Sequence, residues 1–102
     1  MPKYDIKISL TTSQYGVRTP QLVANPHNYE LGRYTQAFVL RCAAEIEEAT
    51  AAANRQWVVV IGYGYLYLEL AQDTDDELAD ALRVLHEVGW AMMHADTDLK
   101  KP

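Results

Sequence analysis

Tyr4, Ile6, Ile8 and Leu10 alternate with Asp5, Lys7, Ser9 and Thr11, the period of two that marks a strand with one buried face. A second strand-forming stretch, Trp57 to Leu70, carries apolar or aromatic side chains on both faces. Leu66, Leu68 and Leu70 fill one side of its second half, and Tyr63, Tyr65 and Tyr67 stand on the other. Gly62-Tyr63-Gly64 supplies residues that tolerate positive φ at a hairpin turn, or at a bend in one long strand. A sheet covered on one side needs apolar residues only at alternate positions, so the tyrosine side of this ribbon calls for a cover of its own.

Two other stretches follow helical spacing. Leu31, Tyr34, Phe38, Cys42, Ile46, Ala49 and Ala53 recur every three to four residues between about Tyr29 and Ala53, with Arg41, Glu45, Glu48 and Thr50 off the stripe. Gly32 weakens the first turn and moves the expected start to Thr35, and Asn54 tolerates the left-handed conformation just past the end. Thr74-Asp75-Asp76-Glu77 is a capping box for a second helix, whose buried stripe is Leu78, Ala81, Leu82, Leu85, Val88 and Met92. Residues 12–28 hold Gly16, Pro20, Asn25, Pro26 and Asn28 and read as a long ordered loop, with at most a short strand near Val17 to Val23. Residues 96–102 read as a frayed polar tail. The expected fold is one α+β domain over residues 1–102, in the order β-loop-α-β-β-α. It has two layers, a mainly antiparallel sheet of three or four strands with both helices on one face.

Composition narrows the class. The chain has 102 residues, 49% hydrophobic and 23% charged, enough for a core without disulfides or a structural metal. The apolar run Trp57 to Ile61 is too short to span a bilayer, and Met1-Pro2-Lys3-Tyr4-Asp5 lacks the apolar segment of a secretory signal. A cytoplasmic protein with no membrane partner is expected, and the single cysteine, Cys42, agrees with a reducing compartment.

Charge is unevenly spread. Residues 1–56 carry six bases and five acids, residues 57–102 three bases and nine acids, so the net of −5 is concentrated in the second half. Between Trp57 and Leu82 stand Glu69, Asp73, Asp75, Asp76, Glu77 and Asp80 without a base, a field that repels phosphate and attracts basic surfaces. Direct nucleic-acid binding is therefore not expected, even though Tyr63, Tyr65 and Tyr67 resemble a base-stacking platform.

Catalytic and metal signals are weak. The acids around Asp75 fail the alternating spacing of a calcium loop and suit a helix N-terminus. His86 and His94 lie about two helical turns apart and cannot share a metal as an i, i+4 pair does. Cys42 falls on an apolar stripe, where cysteine acts as a small hydrophobe. Neither a metal nor a cofactor is expected, and no enzyme activity. The leading expectation is a small acidic binding protein that inhibits or regulates a larger partner by occupying a basic, nucleic-acid-binding surface, in the manner of phage or toxin antagonists. Its partner-binding residues would be Tyr63, Tyr65, Tyr67, Glu69, Asp73, Asp75, Asp76 and Asp80. Two alternatives come from other classes. One is a ligand pocket or small active site between residues 12–34 and the sheet, lined by Tyr15, His27 and Tyr29 with Tyr65 and Tyr67, where His27 would exchange protons. The other is a homodimer that uses the tyrosine face.

Overall fold

The computed structural model describes residues 3–98. It holds four strands, β1 (Tyr4–Thr12), β2 (Arg18–Pro26), β3 (Val58–Ile61) and β4 (Tyr65–Glu69), two α-helices, α1 (Thr35–Ala52) and α2 (Asp75–Asp98), and a short 3-10 helix over Tyr29–Tyr34. The strands form one antiparallel sheet in the order β1-β2-β4-β3. Both helices lie on the same side of it, giving the two-layer α+β architecture expected from the sequence. The molecule is 17 Å thick in its thinnest direction, room for one sheet and one layer of helices.

The stretch expected to be a loop over residues 12–28 is instead a hairpin. Ser13 closes it. Its N–H donates to Val17 O at 2.9 Å, its hydroxyl accepts from the N–H groups of Tyr15 and Val17, and Gly16 takes φ +82°. Beyond the turn, Pro20, Leu22 and Ala24 point inward and are buried, an alternation that outweighs the breakers around it. Pro20 fits because it has no N–H to donate. The even positions of β2 turn that group toward β4, as Ala24 does in donating to Gly64 O at 3.0 Å, and the β2–β4 ladder stops at Gln21↔Tyr67, short of the proline.

The core lies between the sheet and the helices. Leu22, Leu66, Leu68, Phe38, Val39, Cys42, Ile46 and Leu85 are fully buried, and the Tyr4 and Phe38 rings stack with centroids 4.6 Å apart. The buried face of α1 is Thr35, Phe38, Val39, Cys42, Ala43 and Ile46. Tyr34, expected on that stripe, is exposed at the end of the 3-10 helix. Trp57 is buried where the chain enters β3, its indole N–H donating to Thr50 Oγ1 at 2.5 Å. At the start of α2 the Glu77 N–H donates to Thr74 Oγ1 at 3.2 Å, while the Glu77 carboxylate reaches past the cap to the Gln72 N–H at 3.3 Å. α2 continues beyond Asp96, where the tail was expected to begin, to Asp98; residues 99–102 lie outside the described part of the chain.

Gly89 sets the height of α2 over the sheet. A methyl group there would sit 2.6 Å from Ile6 Cδ1 and 2.9 Å from Leu22 Cδ1, so any larger residue forces those two side chains or the helix to shift. Gly89→Val is expected to destabilise the fold by about 1–3 kcal/mol, overriding the better helix propensity of the larger residue. Urea denaturation of both proteins at neutral pH checks this.

Candidate interaction surface

Strand alternation sends the remaining side chains of the sheet to the side away from the helices. From the pairing register, Lys7, Val23 and Tyr65 form one cross-strand row, and Ser9, Gln21, Tyr67 and Val60 the next. Glu69 and Val58 close the face at the far end of β4 and β3. β2 lies between β1 and the tyrosine hairpin, so the polar strip of Asp5, Lys7 and Ser9 is separated from the aromatic strip by Val23 and Gln21. The β3–β4 half is apolar and the β1 half polar. Among the described residues no element crosses over this face, and Val58 is 58% exposed.

Tyr65 and Tyr67 are half-buried among their neighbours in the sheet, and residues 12–34 supply a strand paired beside them, through Gln21 and Val23, in place of a cover. Their rings lie nearly parallel at 6.4 Å, and the Tyr65 ring lies across Gly62, whose missing side chain makes room for it. Together with Thr11, Thr19, Gln21 and Glu69 they line a shallow concavity of about 570 Å³. Tyr63 leaves the row. It sits in the turn, exposed, beside Tyr29, Tyr34 and Pro26 at the other end of the molecule.

The hairpin that carries the tyrosines is held from the helix layer. Gln36 on α1 donates from Nε2 to Gly62 O at 3.0 Å and accepts the Gly64 N–H on Oε1 at 2.7 Å. Gly62 N–H donates to Tyr65 O at 2.9 Å, and Gly64 alone of the two glycines takes positive φ, +83°. No local sequence signal marks Gln36, because its partners lie 26 and 28 residues away.

The acids that the sequence leaves without bases acquire them in the fold. Arg18, at the start of β2, pairs with Asp73 at 2.8 Å and Asp75 at 2.9 Å. Asp80 is bracketed by Arg55 at 2.7 Å and Arg83 at 2.6 Å, and the Arg55 hydrogen bond, then that of Arg83, hold its carboxyl below the ordinary 3.8. Asp80 thus belongs to a strut between the end of α1 and α2. At the Glu69 end of the face, five carboxylates, Glu69, Asp73, Asp75, Asp76 and Glu77, still outnumber the one guanidinium of Arg18.

The residues of the alternative pocket do not come together. Tyr15 occupies the β1–β2 turn, whereas His27 follows the opposite end of β2, where its Nε2 meets Asp5 Oδ1 at 3.0 Å. Nine register pairs separate those ends, from Tyr4↔Pro26 to Thr12↔Arg18, a span of about 26 Å at the rise of a strand. Tyr29 is exposed on the 3-10 helix. Among the described residues no group of three or more His, Cys, Asp or Glu is placed to hold a metal ion, and no helix is long and apolar enough to cross a membrane. No family model matches the chain, and neither does any curated protein or solved structure.

Two measurements follow from this geometry. Gln36→Ala removes two half-buried hydrogen bonds from the turn and should cost about 1–3 kcal/mol of stability, with hydrogen-exchange protection falling first around Gly64 and Tyr65. Asp80 gives a pH signature. Its folded pKa lies below the unfolded one, so the stabilisation is present above about pH 4 and is lost as pH falls through the folded value. The stability gap between the native chain and Asp80→Asn should therefore stay level from pH 7 to about 5 and close below about pH 4 in urea titrations.

Proposed function

We propose that this chain is a small non-enzymatic binding protein that seats the apolar half of its open sheet face on a protein partner with a basic surface. The observation that carries the reading is the uncovered patch of Val23, Tyr65, Tyr67, Val58 and Val60 on the side of the sheet away from the helices. Half-buried tyrosines held rigid by a braced hairpin are the kind of anchor that dominates interface energies, because little side-chain entropy is left to lose. The surplus carboxylates from Glu69 to Glu77 flank that anchor and would steer a cationic partner toward it, an effect that raises the association rate and fades with salt. Lys7 borders this face, and Arg18, at its acidic end, is already engaged by two carboxylates, a poor setting for a phosphate backbone. In its fuller form the reading makes the chain a competitor for a cationic groove that otherwise holds nucleic acid, and so an inhibitor or regulator of its owner, as phage and toxin antagonists are.

The test is an NMR titration of the labelled protein with cationic proteins, alongside neutral and anionic controls. Binding to a cationic member is expected to shift amides of Val23, Val60, Tyr65 and Tyr67, and to weaken about tenfold or more in a Tyr65→Ala/Tyr67→Ala variant of unchanged fold. Reversing Asp73 and Asp76 to Lys should slow association and flatten its salt dependence. Shifts confined to another surface, or affinity indifferent to both changes, would remove the proposal.

A further inference from the structure

We infer that β1 is a self-pairing edge, through which two copies of this chain join strand to strand, antiparallel about a two-fold axis at Ile6, into one eight-stranded sheet. β1 is the long edge of the sheet, nine residues against four in β3, and it runs in unbroken register with β2 from Tyr4 to Thr12, with no bulge or proline to blunt it. The Ser13 N–H to Val17 O and His27 N–H to Lys3 O bonds, both 2.9 Å, assign the odd positions of β1 to hydrogen-bonded pairs with β2. The even positions, among them Ile6, Ile8 and Leu10, accordingly aim their N–H and C=O groups at the edge that no described strand pairs with.

Charge narrows the register. Pairing centred on Lys7 would set the two lysines opposite each other, a destabilising like-charge contact. Pairing centred on Ile6 sets Asp5 opposite Lys7 of the second copy, twice over, on the side of the sheet away from the helices. The Ile6–Ile6 pair then exchanges about two backbone hydrogen bonds across the axis, with Ile8 of each copy set opposite Tyr4 of the other. Asp5 meets His27 Nε2 through Oδ1 at 3.0 Å and, with 72% of its side chain exposed, keeps its other oxygen for the second copy.

The helix side agrees. Between β1 and α2 runs a largely apolar groove of about 690 Å³ lined by Ile6, Ile8, His86, Trp90 and Met93, with Asp5 and Glu87 at its margin. Gly89 brings α2 down directly over Ile6, so an axis at Ile6 passes beside the next residue, Trp90, which is 61% exposed with its ring edge-on to His94 at 4.6 Å. Two grooves meeting there close into one compartment that the two indoles fill. A large apolar side chain left in water beside an open edge is the arrangement that a second copy of the same surface completes.

Sedimentation equilibrium decides it. The native chain is expected at twice its own mass at about 100 µM and to dissociate on dilution. Lys7→Glu, which places carboxylates opposite each other at both ends of the pairing, should weaken the dimer about tenfold or more, and the charge swap Asp5→Lys/Lys7→Asp should restore it. Far-UV circular dichroism identical to the native chain excludes misfolding, since both positions point into solvent. Tyr65→Ala/Tyr67→Ala should leave the mass unchanged, which separates this edge from the tyrosine face. A native chain that stays at its own mass, a dimer indifferent to Lys7→Glu, or a dimer lost in the tyrosine variant instead would overturn the proposal.

Discussion

The alternation of β4 is the constraint on which the rest depends. Leu66 and Leu68 are fully buried against the helices while Tyr65 and Tyr67, between them in sequence, face the other way. With a period of two there is no register that buries all four on one side. Both helices are committed to the leucine side, where Phe38, Ile46 and Leu85 complete the core, and among the described residues no further element lies over the tyrosines. The open face is therefore a product of topology, and the bracing of the hairpin by Gln36 keeps it in shape.

Those features that rest on local pattern were legible in the sequence. Tyr4, Ile6 and Ile8 announced β1, the glycines around Tyr63 announced the hairpin, and Thr74 announced the start of α2, each because the controlling contacts lie within a few residues. β2 was legible only as a short strand near Val17 to Val23 within a loop, because Pro20, Asn25 and Pro26 favour turns wherever they stand in isolation. Only the pairing of the strand shows that Pro20 sits beyond the end of the β4 ladder and that its missing donor costs nothing there. Tyr34 was misplaced for a related reason, since the 3-10 helix before Thr35 shifts the phase of the stripe.

Charge was the least legible layer. A run of acids reads as an unscreened field along the chain, yet Arg18 reaches Asp73 and Asp75 across 55 and 57 residues, and Arg55 reaches Asp80 across 25. The fold thus divides the acidic run into two parts with different duties. Asp80 joins the end of α1 to α2, while the carboxylates around Glu69 and Asp76 remain in excess at the margin of the sheet. Exposed pairs such as Arg18–Asp75 contribute little to stability and mainly shape the local potential.

The sheet is two hairpins stitched together. β1 and β2 pair over nine positions, whereas β2 meets β4 over three, Gln21↔Tyr67, Leu22↔Leu66 and Val23↔Tyr65. Each hairpin closes a short loop, but the central suture joins segments more than forty residues apart and bears the higher chain-entropy cost. Folding should then proceed as local ribbons that zip last along their common midline, and that midline runs beneath Val23 and Tyr65. Whatever rests on the tyrosines straddles the suture, so an occupant would act as a clasp across the line where the two hairpins join.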